Sequence, residues 1–119
     1  MTAMKALLIT LFMALGGTAM AQDKGVIEIV TMNLAEGVSA KAFEPIDKAI
    51  EDEHVSKQPG FISRQAAFAD GKWAVVVNWE TAEAAQASMD SFASAPAAEK
   101  FMSMIDASTM SMTRYELAR

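Results

Sequence analysis

His54 is the single histidine of this chain, which has no cysteine. An imidazole titrates near neutrality, so it can take a proton from a phenolic hydroxyl or orient such a ring. His54 shares a helical face with Phe43, Ile46 and Ile50, which turns it toward a sheet. The competing reading is a half-buried histidine near a helix end, favoured by the negative end of the helix dipole. Asn33 and Asn78 sit near strand ends. Either amide can polarise a carbonyl or hold an oxygen species, or simply satisfy loop backbone groups. Trp73 and Trp79 lie an even number of residues apart on one strand and face the same side. There they can stack on an aromatic ligand or pack a core. Arg64, inside a strand, needs an anionic partner if it points inward, either Glu28 or a ligand carboxylate. The simpler account puts it at an edge, in solvent. Tyr115 offers a phenolic hydroxyl to a pocket or to a structural hydrogen bond.

Metal chemistry has little to draw on. One histidine without cysteine leaves little for a zinc site. There is no Gly-rich phosphate loop, paired-histidine motif or Ser-His-Asp order. Met110 and Met112 share a strand face, with Met102 and Met104 just upstream, and thioethers suit Cu(I). Methionine is also a common core filler, and two residues apart on a helix does not bring Met102 and Met104 together.

These residues must be positioned by a small domain. The chain has 119 residues. Lys5, the apolar run Ala6 to Leu15, a Gly16-Gly17 break and Ala19-Met20-Ala21 make the tripartite pattern of a secretory signal peptide. The apolar run is far short of the roughly 20 residues that span a bilayer. Residues 1–21 are therefore expected to be removed after Ala21, leaving a periplasmic or secreted domain over 22–119 with no membrane attachment. A net charge of −5 without a basic stripe argues against nucleic acid as a partner. Without disulfides, so small a domain gains missing burial by self-association.

Val26 to Leu34 reads as strand one. Ser39 caps a helix from Ala40 to about Lys57, kinked at Pro45 or starting near Glu44, and stopped by Gln58-Pro59-Gly60. Phe61 to Ala69 and Lys72 to Trp79 read as strands joined by an Asp70-Gly71 hairpin turn. Thr81 caps a second helix whose inner stripe is Ala85, Ser88, Met89 and Phe92. Pro96 opens a further helix to about Asp106, and Ser108 to Leu117 reads as strand four. The order is βαββαβ, the ferredoxin-like α+β pattern with an antiparallel sheet. Helices cover one face of such a sheet, yet Trp73 to Val77 is apolar on both. A second copy of the chain is the economical cover, giving a two-fold homodimer.

Several short stretches occur in an order that resembles a known family. They are Val26-Ile27-Glu28-Ile29-Val30, Gln58-Pro59-Gly60-Phe61, Asn78-Trp79-Glu80-Thr81 with Ala84, Pro96-Ala97-Ala98 before Phe101, and Tyr115-Glu116. Together they are similar to the antibiotic biosynthesis monooxygenase-like family of dimeric α+β barrels, over nearly all of the mature chain. The resemblance implies oxygenases that use no metal or flavin, so no cofactor. An electron-rich quinol or phenol, held between sheet and helices, itself reduces dioxygen. It implies His54 as acid/base, Asn33 stabilising oxygen-derived negative charge, and Trp79, Ser88, Phe43, Ile50 and Tyr115 around the substrate. A haem-degrading branch carries histidine and aromatic residues on helix two. Ser88 and Ala98 stand in such places here, which argues against haem. The resemblance leaves two alternatives open, a non-catalytic module for a small apolar or aromatic ligand and a purely structural homodimer.

Overall fold

The computed structural model describes residues 24–119. The signal-peptide expectation lies outside them. Within the described residues, four strands and three α-helices follow in the order β1 (Val26–Leu34), α1 (Ala40–Glu53), β2 (Phe61–Ala69), β3 (Lys72–Trp79), α2 (Ala82–Asp90), α3 (Ala98–Ser103) and β4 (Ile105–Glu116). Short 3-10 turns follow α1 at Val55–Lys57 and α2 at Phe92–Ser94. The sheet order is β2-β3-β1-β4, with antiparallel neighbours throughout. This is the ferredoxin-like α+β arrangement that the element order predicts.

Alternation along the two central strands makes the sheet two-sided. Val26, Glu28, Val30 and Met32 are buried on β1, and Trp73, Val75, Val77 and Trp79 on β3. These side chains face the helices. The intervening Ile27, Ile29, Ala74 and Val76 point to the other face, where they are only half-buried. Asp70 (φ 52°) and Gly71 (φ 78°) both have left-handed backbone, as a type I′ hairpin turn requires, and they fix the register of β2 on β3.

Each main helix starts on a hydroxyl cap. Ser39 Oγ accepts from the Ala42 N–H and Thr81 Oγ1 from the Ala84 N–H. Helix α1 runs through Pro45, which is exposed, so the lost hydrogen bond and the ring sit on the solvent side. The helix ends at Glu53, earlier than the expected Lys57, because a tighter 3-10 turn takes over. A larger correction falls on the last helix and strand. Helix α3 covers only Ala98–Ser103, and β4 begins at Ile105 rather than Ser108. Ile105 pairs with Leu34 and is 6% exposed, so sheet pairing and burial capture residues that local sequence assigns to a helix. A bulge between Thr31 and Asn33 absorbs the shift in register.

The core joins helices to sheet through aromatic edges. The Phe43 ring meets Trp73 edge-on at 4.9 Å and Phe101 at 5.0 Å. Gly60 locks α2 to the start of β2. Its carbonyl accepts from the Glu80 N–H at 2.8 Å, its φ is +87°, and a Cβ there would lie 2.5 Å from Ala84 Cβ. Gly60→Ala is therefore expected to lower stability by about 2–3 kcal/mol, combining a disfavoured backbone with a clash. Gly71→Ala, also at positive φ but with open space around it, should cost only about 1 kcal/mol. Urea-unfolding midpoints of the two variants test the ranking.

Candidate functional site

Between the helices and the sheet lies a cavity of about 300 Å³. Its floor is the helix-facing side of the sheet, with Val30, Met32, Val75, Val77 and Trp79. Ile50 of α1, Ser88 of α2, and Phe92 and Phe101 close it from the helix side. Met89, Met102 and Met110 come from three different elements and are 36–39% exposed, which places them at its rim. A hollow of about 410 Å³ between α1 and β2 is larger. It is bordered mostly by exposed side chains such as Lys41, Glu44 and Phe68, with Trp73 as its single buried apolar side chain, and does not enclose a small molecule between apolar walls.

Two charged clusters reach the cavity wall. Glu28 is 4% exposed. Its Oε1 accepts from Trp79 Nε1 at 3.2 Å and its Oε2 from Arg114 Nε at 2.7 Å. Arg114 Nη1 in turn donates to Gln86 Oε1 at 2.7 Å. One carboxylate thus ties β1 to β3, β4 and α2. The second cluster holds Arg64. Its Nη2 and Nη1 donate to the two carboxylate oxygens of Asp47 at 2.7 and 2.8 Å, and Nη1 also donates to Glu51 at 3.2 Å. The Arg64 and Asp47 side chains are 4% and 5% exposed. Burial alone lowers the Arg64 pKa, but hydrogen bonds and charge from Asp47 and Glu51 outweigh it and hold the guanidinium above its ordinary value.

Arg64 corrects the solvent-edge reading. Although β2 is an edge strand, Arg64 pairs with Val77 on the helix-facing side and lies under α1. Its partner is Asp47, not Glu28, because α1 packs directly over it.

Of the residues singled out by sequence, Ile50, Trp79 and Ser88 line the cavity. No hydrogen bond engages the Ser88 hydroxyl among the described residues. Phe43 is fully buried in the aromatic core and is not in the wall. His54 is 5% exposed and also off the wall. Its Nε2 lies 3.2 Å from both the Ser88 carbonyl and Ser91 Oγ, and its Nδ1 lies 3.4 Å from Gln58 Nε2. The network suits an Nε2–H donating to Ser88 O and an Nδ1 accepting from Gln58, which leaves the ring bracing α2 against the end of α1. Asn33 follows the inward Met32, so alternation turns it to the other sheet face; its N–H donates to Thr109 Oγ1 at 2.8 Å. Tyr115 follows the inward Arg114 and is 55% exposed. Asn78 donates to Ser63 Oγ across the strands, the structural reading of that amide.

The sequence reading did not rank Glu28 or Arg114 as site residues. The signal was present at Glu28: a carboxylate flanked at i±2 by Val26 and Val30 must share their inward face. Met102 and Met110 line the cavity, whereas Met104 and Met112 do not. Among the described residues, no group of three or more His, Cys, Asp or Glu side chains is disposed to hold a metal ion, and no helix is long and apolar enough to cross a membrane.

No protein-family model and no curated protein sequence matches the chain. Solved structures match its fold. SnoaB, a cofactor-independent oxygenase from Streptomyces nogalater, superposes with a TM-score of 0.65 at 15% identity, over 81% of this chain and 94% of SnoaB. A Caulobacter crescentus protein, provisionally assigned as an antibiotic biosynthesis monooxygenase, gives 0.62 at 17% identity, over 82% and 94%. A Nitrosomonas europaea protein of unknown function gives 0.63 at 15% identity, over 82% and 93%. The chain thus has the α+β fold of antibiotic biosynthesis monooxygenase-like proteins. At these identities the likeness is one of fold, and SnoaB is a neighbour within it whose activity is its own.

The Arg64 cluster makes a direct prediction. Asp47→Ala leaves a buried guanidinium with only the half-exposed Glu51, and should cost about 3–5 kcal/mol. Replacing both partners, as Asp47→Leu with Arg64→Met, should recover most of that loss. Urea unfolding of the single and double variants measures the difference.

Proposed function

We propose that the chain binds a small, apolar, aromatic molecule in the cavity between sheet and helices, and oxidises it with dioxygen without a cofactor. The observation that carries this reading is the cavity itself, about 300 Å³, apolar on most sides, with a hydrogen-bonded carboxylate in its wall. Its size and lining suit a ring system carrying few polar groups. Oxygenase chemistry is the finer part of the reading. It is supported by the resemblance of the sequence and by a fold shared with a cofactor-independent oxygenase.

The reaction balances without an external reductant. A phenol that gives up its hydroxyl proton becomes electron-rich enough to pass electrons to dioxygen. One oxygen atom then forms a bond to a ring carbon, that carbon loses its hydrogen, and the product is a quinone. The second oxygen atom leaves as water. The chain's part is to hold the ring, exclude bulk water and take up the hydroxyl proton on the wall carboxylate of Glu28, a transfer that leaves the total charge of the site unchanged.

A second reading, a binding module without turnover, is favoured by one observation. Ser88 stands on the cavity-facing side of α2, at the position where the family resemblance implies an aromatic or histidine side chain. We further propose that the protein is exported, its leader ending at Ala21, and that it pairs through the sheet face carrying Ile27, Ile29, Ala74 and Val76. Half-buried apolar side chains at the centre of an uncovered face are what a second copy would bury.

Two measurements test the proposal on the chain from Gln22 to Arg119. Oxygen uptake with a panel of hydroquinones and polycyclic phenols, chelator present, should exceed autoxidation and insert one atom from labelled dioxygen into the product. Ser88→Phe, which fills the cavity, should abolish it. A ligand that binds but is always recovered unchanged would establish the binding module instead. Sedimentation should give a dimer that Val76→Lys converts to monomer; a wild-type monomer would remove the pairing.

A further inference from the structure

We infer that Glu28 sets the cavity's selectivity, by accepting a hydrogen bond from a hydroxyl of the bound molecule while the carboxylates around the cavity reject ligands that are themselves anionic. The inference rests on the cavity being a binding site, and goes beyond that reading in naming the contact that selects the ligand and the charge it tolerates.

The first support is the unused capacity of Glu28. An ionised carboxylate offers about four acceptor positions and no donor. Trp79 Nε1 and Arg114 Nε each take one, on different oxygens. Glu28 also lines the cavity, whereas Arg114 does not. The guanidinium therefore balances the charge from behind, and the remaining acceptor positions are served from the cavity. A neutral O–H placed there makes a charge-assisted hydrogen bond in a site shielded from water. An acceptor-only group such as an ether or a carboxylate gains nothing from it.

The second support is the electrostatic balance. Arg64 is the cation in the wall among the described residues, and three of its five N–H donors already serve carboxylates. Two hydrogen bonds go to Asp47 and one to Glu51. Asp90 adds another carboxylate to the lining. Two guanidinium groups thus face four carboxylates in and behind the wall. A ligand carboxylate would find each guanidinium already paired with a carboxylate, and would meet a wall of net negative charge.

Three probes of one shape separate these contributions: 2-naphthol, 2-methylnaphthalene and 2-naphthoate, titrated calorimetrically into the chain from Gln22 to Arg119. Naphthol should bind at least about tenfold more tightly than methylnaphthalene, the scale expected for a hydrogen bond to a charged acceptor. Naphthoate should bind weakest. Glu28→Gln should bring naphthol and methylnaphthalene to similar affinities. Equal wild-type affinities for those two would overturn the role of Glu28 and leave the binding reading standing. Tightest binding by naphthoate would overturn the charge filter. Binding by none of the three would overturn both the inference and the reading beneath it. Where Glu28→Gln fails to fold, Ser88→Ala decides: a naphthol preference that survives it belongs to Glu28, and one that it removes overturns the role of Glu28.

Discussion

Removing the Glu28 carboxylate from water costs several kcal/mol, and the wall of the cavity is arranged to offset that loss. Glu28 sits mid-strand on β1, one of the two central strands, with its side chain turned toward the helices. It is held by the indole of β3 and the guanidinium of β4, and the latter is steadied by Gln86 on α2. Remove the carboxylate and Arg114, a partly buried cation, loses its anionic partner. The pair is therefore weak evidence for stability and stronger evidence for one defined arrangement of the wall. The Arg64 cluster does the same on the other side, where a bidentate bond to Asp47 fixes α1 against β2.

Between these two polar braces the walls are apolar and uneven. Trp79 and Phe101 give rigid surfaces, while Met32, Met89, Met102 and Met110 give adaptable ones. Unbranched thioethers fit irregular ring systems without strain, and make favourable contacts with aromatic edges. A rigid floor carrying one directional acceptor, under a soft rim, suits a site that selects by polarity more than by outline.

The fold was legible where local patterning and tertiary demand agree. Strands β1, β2 and β3 carry alternation or β-branched runs between strong turn signals, and their ends fall where the patterns end. The α3–β4 junction was not legible, because Ile105 and Asp106 read locally as the end of the helix and join β4 only when β1 offers hydrogen bonds. Candidate residues divided similarly. Ile50, Trp79 and Ser88 reach the cavity. Phe43 shares a helix face with Ile50, but a face does not specify depth, and packing against Trp73 and Phe101 takes it into the core. His54 continues that face past the end of α1, where hydrogen bonds to α2 and Gln58 claim its ring. Asn33 is one residue out of phase with the inward set of β1, which alternation about Met32 could have shown, whereas the outward turn of Tyr115 follows from the pairing of its neighbour Arg114 with Glu28.

By itself the sequence determined the element order, the two-sided sheet, the caps at Ser39 and Thr81, and the inward turn of both tryptophans. All of these follow from periods of 2 and 3.6 residues and from local hydrogen bonding. Only the tertiary structure decided which charges meet. Arg64 finds Asp47 from 17 residues away and Arg114 finds Glu28 from 86 away. Such pairing depends on how α1 lies over β2 and on β4 closing beside β1. No local pattern encodes those distances, because they come from the packing of the helix layer on the sheet.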